Sequence, residues 1–152
     1  PHMRIDLFNQ FSDAQAVTAT AISTNVIDAN HVSNALKDLG VGGEPLYLRI
    51  QIDEAFATAT SVTFTLESDD NASLSSATTH WSSGVVLIAA LTVGAVVATI
   101  QIPEAATYQR YVGLRYTIGG SNATAGKVTA FLTGNCPAWK AYATSHVTKT
   151  GR

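Results

Sequence analysis

Alternation of apolar and polar residues is the clearest pattern along the chain, and it predicts β-strands. Leu46, Leu48, Ile50 and Ile52 alternate with polar neighbours. A period of two places one face of a strand in a core and the other towards solvent. The same alternation recurs in residues 61–67, 97–102, 111–118 and 128–133. With one more strand expected within 21–28 and another within 84–91, the sequence predicts seven or eight strands.

Turn signals separate the predicted strands. They occur at 40–43, 69–71, 82–84 and 119–122, which are rich in Gly, Asp, Asn and Ser. Short strands at this spacing are typical of sandwiches and barrels, so we expect an all-β fold, a single antiparallel β-sandwich over residues 17–133. The segment 32–39 has apolar residues at helical spacing, and it is either a short helix or an irregular loop.

The two ends of the chain lack the alternation of the middle. Residues 1–3, Pro-His-Met, are interpreted as a tag remnant before a native start at Met3, and no secretory signal is expected after them. Residues 4–16 are predicted to form an N-terminal arm and residues 134–152 a C-terminal tail. Aromatic and apolar side chains on such arms indicate packing against the domain or a neighbour. These residues are Leu7, Phe8 and Phe11 in the arm, and Trp139 and Tyr142 in the tail.

One uncharged apolar run, residues 85–102, raises the question of a membrane span. A spanning helix needs about 20 apolar residues. This run is shorter, contains Thr92, Thr99 and Gln101, and is rich in Val and Ile, which favour strands. We therefore expect two strands that meet around 92–94, and no membrane partner.

Composition and charge narrow the function classes. Charged residues make up 13% of the chain and the formal net charge is −2, against about 25% charged residues in an average protein. The basic residues do not cluster, so the electrostatic footprint of a nucleic-acid-binding protein is missing. We expect no nucleic acid among the partners.

Candidate chemistry is sparse. His31, His80 and His146 have no second His or Cys at metal-ligand spacing, and Cys136 is the single cysteine. No nucleophile motif or phosphate-binding glycine loop is present. The acidic segment 69–71 is either a hydrogen-bonded turn or a cation site. The sequence therefore predicts a non-enzymatic protein with no cofactor, no catalytic residues and no metal ligands.

Several segments resemble one known family. The segment 11–28 (FSDAQAVTATAISTNVID) is similar to the opening motif of the bacteriophage capsid cement, or decoration, protein family, typified by the cement protein of the Bordetella tropism-switching phage. Residues 43–48 (GEPLYL) resemble the next strand entry of that family. Residues 111–117 (YVGLRYT) and 124–130 (TAGKVTA) resemble its last hairpin.

This resemblance implies a jelly-roll-like sandwich that coats the outer surface of an icosahedral phage head. It implies two partners: the major capsid protein, and further copies of the same chain in a homo-oligomer, with a dimer favoured and a trimer possible. The binding free energy of a protein that binds only the expanded shell adds to the stability of that state alone. We expect the arms to make the capsid or subunit contacts, through Leu7, Phe8, Phe11, Trp139 and Tyr142.

An alternative function is a carbohydrate- or receptor-binding jelly roll of a phage particle. Such a site uses aromatic platforms beside polar groups. The best candidates are His80 and Trp81, in a predicted loop at 78–84.

Overall fold

A computed structural model describes residues 7–29, 45–103 and 107–134 of the 152-residue chain. Two short 3₁₀ helices, Leu7–Asn9 and Ile88–Ala90, accompany the strands. The strands of these described residues are β1 (Gln10–Ala16), β2 (Ala21–Ile22), β3 (Ile27–Asp28), β4 (Tyr47–Ala57), β5 (Ser61–Asp69), β6 (Thr78–Leu87), β7 (Val96–Gln101), β8 (Tyr111–Gly119) and β9 (Ala125–Thr133).

The strands form two antiparallel sheets that face each other. One sheet has the order β1-β9-β4-β7, and the other has the order β2-β8-β5-β6, with β3 also paired to β8. This is the strand order of a jelly roll, in which the short β2 and β3 together occupy one strand position. The predicted all-β sandwich is confirmed. The described residues contain nine strands in place of the expected seven or eight, because the segment 21–28 contributes two short strands and residues 10–16 form a further one.

The alternating residues of the central strands form the core. Leu48, Ile50 and Ile52 of β4 are buried, as are their counterparts in β5 of the opposite sheet. Phe64 and Tyr116 pack edge to face in the interior, with ring centroids 5.7 Å apart. This geometry is favourable for aromatic pairs. The hydrophobic pattern of the sequence therefore predicted the core face of these strands correctly.

The predicted N-terminal arm is wrong for residues 10–16, because they form β1. This strand pairs with β9, and Phe11 is fully buried in the main core. Register shifts along the pairing leave both Phe11 and Ser12 buried, although they are neighbours in sequence. Such bulges explain why simple alternation is absent from this segment.

The predicted loop at 78–84 is also wrong, because this segment belongs to β6. The strand pairs with β5 and contains two bulges, one at His80 and one at 83–84. Gly84 adopts a φ of +69° in the second bulge, a conformation that favours glycine. The predicted turn at 82–84 is therefore a bulge within a strand.

The apolar run 85–102 crosses from one sheet to the other. It contains the end of β6, the second 3₁₀ helix, a turn at 93–94 and the whole of β7. The two strands expected on either side of 92–94 are present, as the end of β6 and as β7, but they belong to different sheets. Among the residues that the structure describes, no helix is both long enough and apolar enough to cross a membrane.

The connection between β5 and β6 packs on the outer face of the second sheet. Leu74, in the connection between β5 and β6, is buried against Gly113 of β8. Arg115 donates to the Leu74 carbonyl at 2.5 Å and to the Glu67 carboxylate at 2.9 Å. The candidate helix 32–39, the tag remnant 1–3 and nearly all of the predicted tail, from residue 135 on, lie outside the described residues.

Candidate contact surfaces

The first predicted contact residues lie in the 3₁₀ helix that leads into β1. Leu7 begins this helix, and the Phe8 side chain is 75% exposed. A phenyl ring so exposed is unusual for a large apolar side chain. Phe8 therefore retains the exposure that a contact residue needs, whereas the fully buried Phe11 does not. The prediction of Phe11 as a contact residue is therefore wrong, because its side chain is buried in the core.

The remaining predicted contact residues, Trp139 and Tyr142, lie outside the described part of the chain, as do His31, His146 and Cys136. The last described residue, Gly134, follows β9 directly. Thr133 of β9 pairs with Tyr47, and Gln10 of β1 lies opposite Phe131. The tail thus starts from the end of the sandwich at which β1 begins.

His80 is held by a polar cluster at this same end. Its Nε2 atom lies 2.6 Å from the Ser68 hydroxyl, which also accepts a hydrogen bond from the Gln109 backbone N–H. The imidazole ring packs on the Tyr108 ring, with centroids 4.4 Å apart. Burial lowers the pKa of His80 below its usual value of 6.5. These contacts fix the ring against the protein itself.

Burial also affects the tyrosine beside His80. It raises the pKa of Tyr108 to about 12, and the neutral hydroxyl donates to the Pro103 carbonyl at 2.9 Å. Trp81 is partly buried and packs against the main core. His80 and Trp81 therefore lie on a bulged strand with their rings engaged by the domain, instead of forming an open aromatic platform on a loop.

The acidic segment 69–71 forms a hydrogen-bonded turn. Both carboxylate oxygens of Asp69 accept from Ser76, including a 2.8 Å bond from its backbone N–H. This bond is the main cause of the lowered pKa of Asp69. Asn71 in turn accepts from the Ser73 backbone N–H at 3.0 Å. Of the two interpretations left open, the structure shows the turn. No group of metal-ligating side chains is present among the described residues.

An exposed apolar rim lies where the chain passes from β6 to β7. Val85 and Val93 are 73% and 70% exposed, and Leu87 and Val96 are also exposed. Their neighbours Val86 and Val97 pack against the core. Sequence reasoning missed the rim as a surface. The sequence feature that could have indicated the rim is the uninterrupted apolar run 85–88. A strand with one face towards solvent normally has polar residues at alternate positions, so an apolar run there indicates exposed apolar side chains.

The fold and these surfaces define a jelly-roll protein whose distinctive exposed groups are apolar: Phe8 at one end and the rim at the other. Comparison with known proteins refines this class. A family model named Bbp16 matches residues 11–132, which span the sandwich from β1 to β9. A search of curated proteins finds no significant match.

The chain belongs to the Bbp16 family, because the match covers most of its length. Bbp16 is the name of a Bordetella phage protein, so the family is one of phage-associated proteins. The matched region begins at Phe11 and ends at Leu132, which are both buried in the core. The match therefore coincides with the folded sandwich.

Proposed function

We propose that the protein is a non-enzymatic capsid cement protein, which binds the outer surface of a phage head and holds neighbouring major capsid protein subunits together. The family match over residues 11–132 carries the proposal, since it links the whole jelly roll to a phage protein family. Cementing requires a stable folded body and exposed apolar contacts. A folded sandwich with a buried core and exposed apolar residues supports this proposal.

The proposed capsid contact is the end of the sandwich that carries Phe8. The N-terminal segment and the C-terminal tail, with Trp139 and Tyr142, both join the sandwich there. A capsid lattice presents many equivalent sites, and linked contacts raise the avidity. Modest affinity per contact is therefore sufficient for cementing.

Co-sedimentation with expanded phage heads tests this proposal. The heads are purified from the phage that encodes the chain, in a preparation that lacks this protein. We expect saturable binding to expanded heads and a higher temperature of head disruption when the protein is bound. Unexpanded precursor heads are the control for binding to the expanded state. If the protein stays in the supernatant at every concentration while the expanded heads sediment, the cement role is excluded.

Two matched variants locate the contact. Phe8→Asp should reduce head binding at least about tenfold, because a carboxylate replaces a ring that is desolvated on binding. Thr117→Asp adds the same charge at an exposed position of β8, nearer the opposite end of the sandwich, and it should bind normally. Glycan-array binding without head binding would instead support the carbohydrate- or receptor-binding alternative.

A further inference from the structure

The outer face of the first sheet, β1-β9-β4-β7, contains a buried phenylalanine. Phe131 of β9 points away from the sandwich interior, because Ala130 and Leu132 on either side of it point into the main core. The Phe131 side chain is nevertheless only 1% exposed, although it is not part of that core. Thr129 and Thr133, its neighbours along the same face, are also buried. A sheet face that is open to solvent normally carries exposed polar residues, so this part of the face is covered.

None of the described strands lies over this part of the face. All nine belong to the two sheets, and the second sheet packs against the opposite face. Phe131 pairs with Gln10 of β1 on one side and with Arg49 of β4 on the other. Arg49 pairs in turn with Thr99 of β7. These four residues form one line across the sheet, which we call the outer row.

Arg49 carries a buried donor that has no acceptor. Its Nε atom is shielded from solvent and has no hydrogen-bond partner, while Nη1 donates to the Thr99 hydroxyl at 3.3 Å. The ion pairs of the described residues do not include Arg49. Leaving a buried N–H of a charged group without an acceptor is costly. A carboxylate is the acceptor that matches a guanidinium best, so the outer row favours a carboxylate from beyond the described residues.

The chain that precedes β1 starts at the outer row and is long enough to cross it. The 3₁₀ helix Leu7–Asn9 directly precedes Gln10 and lies close to β9. Neighbouring strands are about 4.8 Å apart, so Arg49 lies about 10 Å from Gln10 across two strand spacings. Three 3₁₀ residues at about 2 Å each and one extended residue of about 3.5 Å cover the same distance. Asp6 can therefore reach Arg49.

We infer that residues 5–7 (Ile-Asp-Leu) lie over Phe131 and that the Asp6 carboxylate pairs with Arg49. Residues 1–6 are outside the described residues, but their sequence matches both requirements of the outer row. Apolar residues on both sides of Asp6 suit a buried ring, and the carboxylate suits an unpaired guanidinium N–H. The C-terminal tail, which also starts at this end of the sandwich, contains no Asp or Glu from residue 135 on. It therefore lacks the carboxylate that Arg49 favours.

This inference deepens the proposed function, because it fixes the helix that carries Phe8. Asp6 anchors the chain on one side of that helix, and the pairing of Gln10 with Phe131 anchors it on the other. A side chain that is already held in its binding orientation loses less conformational entropy when it meets its partner. The anchor thus prepares Phe8 for capsid contact and leaves its ring exposed.

A double-mutant cycle on the isolated full chain tests the ion pair, so that its failure is distinct from a failure of head binding. Urea unfolding is measured for the unmodified chain, Asp6→Asn, Arg49→Gln and the double variant. We expect a coupling of at least about fivefold in the unfolding equilibrium constant, as residues in contact show. Asp13→Asn is the matched control, because it removes the same charge from an exposed position of β1. Its effect should add to that of Arg49→Gln without coupling.

Cross-linking within one chain provides a second measurement, which does not depend on stability. In a Cys136→Ser background, a short bismaleimide should join Asp6→Cys to Arg49→Cys within the monomer. Thr117→Cys, on the outer face of the second sheet, replaces Arg49→Cys in the control and should not be joined to Asp6→Cys. Absence of the first link, equal yields for both pairs, or additive effects of Asp6→Asn and Arg49→Gln would overturn the inference.

Head binding then measures the consequence for Phe8. Arg49→Gln should weaken co-sedimentation with expanded heads at least about threefold, although the isolated variant remains folded. Unchanged head binding by this variant would show that the anchor does not orient Phe8. If the unmodified chain does not bind heads, the proposed function fails, and the cycle and the cross-link still decide whether the anchor exists.

Discussion

The hydroxyl groups of Tyr116 and Ser12 lie 2.6 Å apart inside the sandwich and join its two sheets. Ser12 donates to the Gln15 side-chain oxygen at 2.6 Å, so the phenol must donate to Ser12. Burial raises the pKa of Tyr116, which keeps this donor protonated. A polar contact thus fixes how β8 lies over β1.

We predict that Ser12→Ala destabilises the protein by about 1–3 kcal/mol, because it leaves the buried Tyr116 hydroxyl without its acceptor. Tyr116→Phe removes that hydroxyl, so the double variant Ser12→Ala with Tyr116→Phe should be more stable than the sum of the single effects predicts. Urea unfolding of the four proteins measures the coupling. Strict additivity would show that the two hydroxyls do not depend on each other.

Gly126 is predicted to be far less replaceable than Gly84. Both have positive φ, at +144° and +69°, but a Cβ atom at Gly126 would lie 2.5–2.8 Å from the Phe56 ring, whereas none of the surrounding atoms comes within 4 Å at Gly84. Gly84→Ala should cost about 1–2 kcal/mol from its backbone conformation. Gly126→Ala should cost more, because the ring must also move. Thermal melting of both variants provides the comparison, and equal losses would contradict it.

Phe11 and Phe8 are predicted to have opposite phenotypes although only two residues lie between them. Phe11→Ala should destabilise the sandwich by about 3–5 kcal/mol, the usual loss for a buried phenylalanine. Phe8→Ala removes an exposed ring and should change the free energy of unfolding by less than about 0.5 kcal/mol. Chemical denaturation separates them. A large loss of stability for Phe8→Ala would show that its ring supports the fold.

His80 is predicted to make stability fall in mild acid. Its pKa is lowered in the folded protein by burial, so below pH 6.5 the unfolded chain takes up the proton first. Stability is fully present above pH 6.5 and is lost as the pH falls through the lower pKa of the folded state. The melting temperatures of the natural chain and of His80→Gln are measured at pH 7.5 and at pH 5, and the decrease on acidification is compared between the two proteins. The variant should lose less on acidification, and identical changes would exclude His80 as the cause.

Asp69 is predicted to affect the stability of the fold in a separate, more acidic pH range. Its pKa is lowered from 3.8, mainly by the Ser76 backbone hydrogen bond, so its contribution to stability is present above pH 4 and disappears as the pH falls further. Asp69→Asn should therefore lower the free energy of unfolding at pH 5 and pH 7, where the contribution is present, and flatten the loss of stability below pH 4. Urea unfolding of both proteins at pH 3, 5 and 7 measures this, and an equal loss for the variant at all three pH values would contradict the assignment.

The regular strands could be predicted from the sequence because each buries one face. In β4, every second residue from Leu48 to Ile52 is buried, as the pattern indicates. β1 and the first half of β6 escaped prediction because bulges break the period of two: Phe11 and Ser12 are both buried, and His80 is an extra residue in its ladder. Bulges depend on pairing with a distant strand, which local sequence does not specify.

The contact surfaces were harder to predict than the core. Phe8 and Phe11 look alike in sequence, and only the pairing of β1 with β9 separates an exposed ring from a buried one. The apolar rim was hidden because exposed and buried valines are indistinguishable in the run 85–88. What distinguishes them is the position of β6 at the edge of its sheet.

The bulge at Ser83 and Gly84 has a consequence for resistance to aggregation. A long, flat, uncharged edge would template the addition of strands without limit and lead to fibres. Here the Ser83 hydroxyl accepts the Phe64 backbone N–H at 3.0 Å and donates to the Gly84 carbonyl at 2.7 Å, so a side chain replaces part of the ladder. The interruption shortens the stretch of β6 to which a further strand can pair, and so protects this edge against open-ended strand addition.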